Sequence, residues 1–259
     1  MYVHSINPVL LDFGPIEIRY YGLFYVIGFI ITYYMASYLA KRKNLNISKD
    51  DIADLLLYAA AGMLIGARLF YVLIYNTGYY IANPLHIFAL WEGGLSFHGA
   101  LIGIAIAGYL FCKKKKLDFY TIADIIVVPA ALALMLGRIG NFINGELYGR
   151  ITNVPWAVKF PGAEGYRHPS QIYEALKNLS MFIILWNIKD KNMPKGFMFW
   201  LFITMYGGLR FVIEFFREPD QQLGFFLGFF TMGQILTAIM FIVGSIMLYR
   251  LEKQDNNNN

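Results

Sequence analysis

Seven long apolar segments dominate this sequence and restrict what the chain can fold into. Each is close to the ~20 residues that an α-helix needs to cross the hydrocarbon core of a membrane. Charged residues make up only 15% of the chain, against about 25% in ordinary soluble domains. The sequence therefore predicts an all-α integral membrane protein with seven transmembrane helices rather than a water-soluble enzyme. The segments are residues 21–40, 52–75, 94–112, 121–143, 171–188, 196–216 and 229–250.

Basic residues fix the predicted orientation. Lysines and arginines are found at the ends of the first, third, fifth and seventh segments and in the connections that follow them, as at residues 113–116. Because cytoplasmic loops are enriched in basic residues, the N-terminus is predicted outside and the C-terminus in the cytoplasm. Residues 1–20 then form an extracytoplasmic arm and residues 21–250 a single membrane domain with a small outer cap at about 144–170. The polar residues 251–259 are expected to be a disordered cytoplasmic tail.

The formal net charge of +5 and the single cysteine, Cys112, exclude several classes of function. One cysteine cannot form an intramolecular disulfide framework or a two-cysteine redox motif. Nucleic-acid modules, zinc-finger spacings and metal-binding carboxylate clusters are missing from the sequence, so no nucleic-acid partner, metal or cofactor is predicted. The basic charge is better explained by membrane lipid. Cys112 lies at the cytoplasmic end of the third segment and is expected to be structural.

Arginine and lysine occupy different places in this topology. Eleven of the 13 lysines lie in cytoplasmic segments, whereas seven of the nine arginines do not. Arg138 and Arg210 lie 17 and 14 residues above the cytoplasmic starts of their segments, or about 25 Å and 21 Å up their helices. Arg68, His98 and Tyr21 fall in the same outer third. Since an arginine inside a membrane is costly and suits planar phosphate recognition, these positions predict a site for an anionic phospholipid headgroup.

Three polar stretches contain the candidate site. The first, GRIGNFINGELYGR (137–150), places Arg138 and Asn141 on one helix face. The second, GGLSFHG (93–99), contains His98. In the third, Tyr206, Arg210 and Glu214 share a face at four-residue spacing. The structural alternative is that Arg210 pairs with Glu214 and Glu146 with Arg150, with no ligand involved.

At these residues the sequence resembles the prolipoprotein diacylglyceryl transferases, a family of bacterial inner-membrane enzymes. GRIGNFINGELYG (137–149) is similar to the family signature. YYGL (20–23), GGLSFHG (93–99), RHPSQ (167–171) and EFFREPD (214–220) are similar to its other motifs, in the same order. The resemblance covers nearly the whole chain.

The resemblance implies a reaction and a set of site residues. The diacylglyceryl group of phosphatidylglycerol would pass to the lipobox cysteine of a preprolipoprotein at the outer leaflet of the bacterial inner membrane, releasing glycerol phosphate. Family positions with essential or important side chains match Arg138, Arg210 and His98. Other site positions match Tyr21, Asn141, Glu146, Gly149, Tyr206 and Glu214.

These residues suggest how the chemistry would be shared. Arg138 and Arg210 are expected to hold the leaving phosphate, with Asn141 and Tyr21 as hydrogen-bond partners. A thiolate is needed for attack, and either His98 acting as a base or the field of the arginines would supply it. The alternatives to this function are an anionic-solute transporter, another outer-leaflet phospholipid-using transferase or phosphatase, and a lipid-binding scaffold without chemistry.

Overall fold

The computed structural model describes residues 1–15, 17–218, 225–226 and 230–258, and of residues 97, 98, 225, 226, 230 and 256–258 it describes the backbone alone. Each of the seven predicted segments is helical over most of its length, and residue 229, at the start of the last one, lies outside the described residues. The long helices are α1 (Tyr20–Arg42), α2 (Lys49–Phe70), α4 (Phe97–Lys115), α5 (Phe119–Asn144), α6 (Ser170–Ile188), α7 (Phe197–Glu214) and α8 (Met232–Asn258). Between α2 and α4 lie a π-helical turn (Tyr71–Tyr75), the short helix α3 (Thr77–Ala82) and two 3₁₀ turns (Pro84–Phe88 and Leu90–Glu92).

Within the described residues, five helical segments are long and apolar enough to cross a membrane. They are Tyr20–Arg42, Lys49–Tyr75, Phe119–Asn144, Phe197–Glu214 and Met232–Asp255. The predicted all-α, multi-pass membrane protein is thereby confirmed. Helices α4 and α6 are 19 residues long, but α4 ends in three lysines and α6 carries several polar side chains. The number of seven spans and the orientation therefore stay predictions.

The end of the chain differs from the expected disordered tail. Helix α8 continues through the polar residues after Leu251 as far as Asn258. Extending an existing helix avoids the cost of nucleating one, so a long apolar helix can carry polar residues at its end. The division of the chain into an arm, a membrane domain and a tail stays a prediction.

The chain separates into two compact units, residues 37–122 and residues 1–36 together with 123–259. In the first unit, α2 begins with a capping box in which Ser48 and Asp51 bond each other's backbone N–H groups. Helices α2 and α4 pack closely through facing glycines: a Cβ on Gly66 would lie 2.8 Å from the Cα of Gly103. Small residues allow this approach between apolar helices. Cys112, in α4, is 2% exposed.

Arg68 holds the irregular segment that follows α2. Its buried guanidinium donates to the backbone oxygens of Gly93 and Gly94 (3.2 Å for Gly94), and to three oxygens between residues 86 and 89 at 2.5–3.0 Å. Carbonyls outside regular helix lack partners in an apolar environment, so one arginine with five N–H donors satisfies several at once. Arg68 therefore has a structural role, whereas its position in the outer third of a predicted transmembrane segment suggested a role in binding an anion.

In the second unit, α5 and α7 are tied together by Asp124. Its carboxylate accepts from the backbone N–H groups of Gly196 (2.7 Å) and Phe199 (2.8 Å) at the start of α7. These N–H groups have no partner within their own helix, and a negative charge there also complements the helix dipole. Asp124 therefore sets the position of α7, which carries Arg210, relative to α5, which carries Arg138.

Short strands organise the arm and the cap segment. Strand β1 (Tyr2–Val3) pairs in parallel with β4 (Val158–Lys159), and β2 (Val9–Asp12) forms an antiparallel pair with β3 (Glu17–Arg19). A third pair joins β5 (Phe225–Phe226) and β6 (Phe230–Thr231). Isolated bridges link Gly149 to Arg217, and Arg167 to both Ile151 and Val158. The segment between α5 and α6 is thus joined both to the N-terminal arm and to the end of α7.

Candidate functional site

Three arginines converge on the carboxylate of Glu174, which lies one turn into α6. Arg138 Nε, from α5, is 3.0 Å from Glu174 Oε2. On the other oxygen, Oε1, Arg217 Nη1 donates at 3.0 Å, and Arg210 Nε, from α7, lies 3.7 Å away. The Glu174 side chain is 1% exposed. A carboxylate buried this deeply is stable only when paired, and here three guanidinium groups from separate parts of the chain surround it.

A second carboxylate, Glu214, stands on the other side of Arg210. Arg210 Nη1 donates to Glu214 Oε2, and Arg217 Nε lies 3.7 Å from the same oxygen. The hydroxyl of Thr231 donates to Glu214 Oε1 at 3.0 Å. The pairing of Arg210 with Glu214, which the sequence offered as a structural alternative, is therefore present. Each guanidinium is fixed by more than one partner, and Arg210 is shared between two carboxylates.

Lys177 adds a fourth cation one turn further along α6. Its Nζ lies 3.9 Å from Glu174 Oε2 and 3.8 Å from the centre of the Tyr206 ring. The cluster of Arg138, Lys177, Arg210 and Arg217 with Glu174 and Glu214 thus holds four cations and two carboxylates, which leaves an excess of two positive charges. Glu174 and Glu214 lie among these cations, but the basic side chains still outnumber the carboxylates.

The signature stretch extends this cluster toward the end of α5. Arg138 Nη1 donates to Asn141 Oδ1 at 3.5 Å, and Asn141 Nδ2 donates to Glu146 Oε1 at 2.8 Å. The backbone oxygen of Glu146 accepts from Gln171 Nε2 at 2.6 Å. The predicted shared face of Arg138 and Asn141 is confirmed by this contact, and the network orients the Arg138 side chain.

Gly149 and Gly140 lack a side chain, which allows His168 and Tyr21 to lie close to their backbones. The Gly149 N–H donates to the backbone oxygen of His168 at 2.8 Å, and a Cβ on Gly149 would lie 2.8 Å from the Cβ of His168. A Cβ on Gly140 would lie 2.9 Å from Cδ2 of Tyr21. Any larger residue would displace the cap segment in the first case and the Tyr21 ring in the second. The hydroxyl of Tyr21 lies 3.0 Å from that of Tyr25.

The structure describes the side chain of His168 but not that of His98. His98 lies in the first turn of α4, but its side chain is outside the part of the structure that is described. His168, just before α6, places Nδ1 3.0 Å from the hydroxyl of Tyr173. Burial lowers the pKa of His168 from its ordinary value, so this ring is neutral at pH 7.

Comparison with known proteins shows the family to which the chain belongs. Residues 8–250 match the family model described as prolipoprotein diacylglyceryl transferase. The chain belongs to this family. It is 49% identical to the phosphatidylglycerol–prolipoprotein diacylglyceryl transferase of Geobacter sulfurreducens, over 93% of this chain and 94% of the relative. Proteins of the same name from Photobacterium profundum and Bordetella avium are 44% and 45% identical, over 94% and 93% of this chain and 92% and 93% of their own lengths.

For this member of the prolipoprotein diacylglyceryl transferase family, most candidate residues lie in one network. The structure joins Arg138, Asn141, Glu146, Arg210 and Glu214 through the contacts above. Tyr206 is buried beneath Lys177, and Tyr21 and Gly149 pack against Gly140 and His168 respectively. Their part in binding or catalysis stays a prediction, as does that of His98.

Three members of the cluster were missed as site residues from the sequence: Glu174, Lys177 and Arg217. A signal for two of them exists in α6, where Gln171, Glu174 and Lys177 recur at three-residue spacing in a largely apolar helix and therefore lie near one face. A polar face on an apolar helix indicates a buried polar contact. Arg217 lies beyond α7, and only the packed structure shows that it turns back to Glu174.

Proposed function

We propose that the chain transfers the diacylglyceryl group of phosphatidylglycerol to the lipobox cysteine of preprolipoproteins, forming a thioether and releasing glycerol phosphate. Membership of the family supports the reaction class. The observation that carries the proposal is that four basic side chains and only two carboxylates meet in the cluster around Glu174. A phosphodiester carries one negative charge, and arginine binds phosphate oxygens through two parallel N–H groups.

The burial pattern supports ligand binding by Arg138 and Arg210 rather than by Glu174. The Arg138 and Arg210 side chains keep 16% and 12% exposure, whereas Glu174 keeps 1%. Glu174 thus holds the arginines from within, and Arg138 and Arg210 are the most exposed side chains of the cluster. Donors fixed before the substrate arrives stabilise developing charge without reorganising during the reaction.

The position of the cluster along its helices supports a site at the outer leaflet. Arg138 is six residues from the end of α5, Glu174 four residues from the start of α6, and Arg210 four residues from the end of α7. At 1.5 Å per residue these are depths of only about 6–9 Å. The lysine-rich connections adjoin the opposite ends of these helices. With seven spans and the N-terminus outside, as the positive-inside rule predicts, the cluster faces the outside of the bacterial inner membrane.

The reaction proceeds at the carbon that joins diacylglycerol to phosphate. The sulfur of the lipobox cysteine attacks this carbon, a C–S bond forms, and the C–O bond to phosphate breaks. The bonding electrons leave with the phosphate oxygen as glycerol phosphate, while the thiol proton passes to a base or to water. Arg138 and Arg210 hold the charge that grows on the leaving phosphate, and Asn141 and Tyr21 donate further hydrogen bonds. Holding both reactants in line lowers the barrier further.

Transfer of label in detergent tests this function. Phosphatidylglycerol labelled in its acyl chains is mixed with the chain and a lipobox peptide, and label on the peptide is measured together with released glycerol phosphate. We expect equal amounts of both. A peptide with serine in place of the cysteine is the control and stays unlabelled. Labelled peptide accompanied by lysophospholipid instead of glycerol phosphate would indicate acyl transfer and contradict the proposal.

An anionic-solute transporter is disfavoured by the comparisons, because relatives matching over 90% of the chain are named transferases. Purified protein in vesicles distinguishes the two functions. A transporter would move phosphate or glycerol phosphate across the vesicle without a peptide, whereas the proposed enzyme consumes phosphatidylglycerol only when the peptide thiol is present.

A further inference from the structure

We propose that Lys177 binds the phosphate of the bound phospholipid, as a third cation beside Arg138 and Arg210. The proposal rests on the function proposed above and assigns a lipid-binding role to a residue that neither the signature nor the other family motifs contain. Its basis is the side chain of Lys177 itself, which is 2% exposed and whose Nζ has no hydrogen-bond partner among the described residues.

An ammonium group in this position needs an explanation. Lysine has three N–H donors, and burying a charge without hydrogen bonds is costly. The nearest carboxylate oxygen, Glu174 Oε2, is 3.9 Å from Nζ, too far for a hydrogen bond, and it already lies 3.0 Å from Arg138 Nε. The Tyr206 ring, 3.8 Å from Nζ, offers only a cation–π contact. Neither neighbour satisfies the three donors.

Glu174 does not need Lys177 for neutralisation. Three arginines already surround this carboxylate, so a fourth cation adds to the positive excess instead of removing a negative charge. Without Lys177 the cluster would still carry one positive charge more than its carboxylates. A lysine placed where it worsens the local charge balance favours a site that is completed by an anion.

Other buried polar side chains of α6 near Lys177 also have atoms without a hydrogen-bond partner. Among the described residues, six buried side-chain atoms have no hydrogen-bond partner, and four of these belong to Gln171, Glu174, Lys177 and Asn178 of α6. Two are the acceptor oxygens of Gln171 and Asn178, one is the Lys177 ammonium, and the fourth, Glu174 Oε2, already forms the ion pair with Arg138 described above. A phosphate with an attached glycerol presents both acceptor oxygens and donor hydroxyls, so it matches both kinds of atom. The ligand class is therefore a glycerol phosphate, either as a lipid headgroup or as the free product.

The test compares Lys177→Met with wild type and with Lys159→Met, which removes an exposed lysine in β4. Methionine keeps an unbranched apolar stem and removes the ammonium group, with its charge and its three N–H donors. For each protein, KM for phosphatidylglycerol, KM for peptide, and inhibition by glycerol phosphate and by inorganic phosphate are measured. We expect Lys177→Met to raise KM for phosphatidylglycerol and the inhibition constant of glycerol phosphate by about tenfold or more, the loss of one charged hydrogen bond. KM for peptide and all constants of Lys159→Met stay unchanged.

The outcomes separate the two proposals. If wild type transfers lipid and Lys177→Met keeps its KM for phosphatidylglycerol and its inhibition by glycerol phosphate, Lys177 is only a structural cation and the inference fails. If KM rises for the lipid but inhibition by both soluble anions is unchanged, the lysine contacts the lipid outside its phosphate, which also overturns it. If wild type neither transfers lipid nor is affected by glycerol phosphate, the proposed function itself fails. Lys177→Arg, which keeps the charge, should retain affinity if Lys177→Met does not fold.

Discussion

Arg138 Nε and Glu174 Oε2 lie 3.0 Å apart and join α5 to α6 at a point where neither side chain is more than 16% exposed. Arg138 belongs to the motif that most strongly indicates the family, whereas Glu174 stands out only as part of a polar face. The contact shows that this arginine, which we propose binds phosphate, is positioned by a carboxylate from another helix. Several experiments follow from this arrangement.

Glu174→Gln should lower both stability and activity. The substitution leaves Arg138, Arg210 and Arg217 without their shared counter-charge, and removing one partner of a buried ion pair costs about 3–5 kcal/mol. Thermal unfolding in detergent, followed by the helical circular dichroism signal, measures the effect. Glu164→Gln, at an exposed position in the cap segment, is the matched control. An unchanged unfolding midpoint in Glu174→Gln would show that the arginines do not depend on this carboxylate.

Arg138→Lys should lower the rate of transfer as strongly as Arg138→Ala. A lysine keeps the charge but not the planar pair of N–H groups, and it cannot contact Glu174, Asn141 and a phosphate together. We expect kcat to fall about 10²- to 10³-fold, the effect of losing one charge-stabilising donor. The label-transfer assay measures this, with Arg19→Lys at an exposed position as control. Near-normal activity of Arg138→Lys would argue against two-pronged phosphate binding.

Gly140→Ala should reduce activity through Tyr21. The added Cβ would lie 2.9 Å from Cδ2 of Tyr21, so the ring must move. A displacement of about 1 Å in a positioning group can cost up to about 100-fold in rate. Gly137→Ala, in the same helix, has nothing within 4 Å of its Cβ and should be fully active. Equal activity of the two variants would show that Tyr21 does not need its present position.

His98→Gln tests the source of the thiolate. If His98 is the base, transfer should fall by about 10²-fold or more and lose its dependence on a group titrating near pH 6.5. Rates are measured from pH 5.5 to 8.5, with His86→Gln as control. Substantial activity of His98→Gln across this range would assign the lowering of the thiol pKa to the arginines instead.

The lowered pKa of His168 predicts how the stability of the protein depends on pH. Its pKa is lowered by burial, so the unfolded chain binds a proton more readily than the folded one. The free energy of unfolding should therefore decrease as the pH falls below about 6.5, the ordinary histidine value, until the pH passes the lowered pKa. Unfolding midpoints at pH 7.5 and 5.5 measure this for wild type and His168→Gln. A smaller difference between the two midpoints is expected in the variant, and an equal difference would exclude His168 as the titrating group.

Local spacing predicted part of this structure well. The apolar segments correspond to helices whose ends differ by a few residues, because length and apolarity alone determine them. The contacts of Arg138 with Asn141 and of Arg210 with Glu214 follow from three- and four-residue spacing within one helix.

Contacts between different helices could not be predicted from the spacing of residues within one segment. The meeting of Glu174 with three arginines depends on how α5, α6 and α7 pack. Asp124 helps to fix that packing by bonding Gly196, which lies 72 residues further along the chain. Arg68 illustrates the same limit, since depth in a segment does not reveal whether a guanidinium bonds a ligand or irregular backbone.

The only thiol of the chain, Cys112, is shielded within α4. For an enzyme proposed to act on a cysteine, this has a practical consequence. Maleimide or iodoacetamide added to a native reaction mixture will alkylate the peptide substrate and spare the protein, so quenching and colorimetric counting of unreacted peptide can be done without a background from the catalyst.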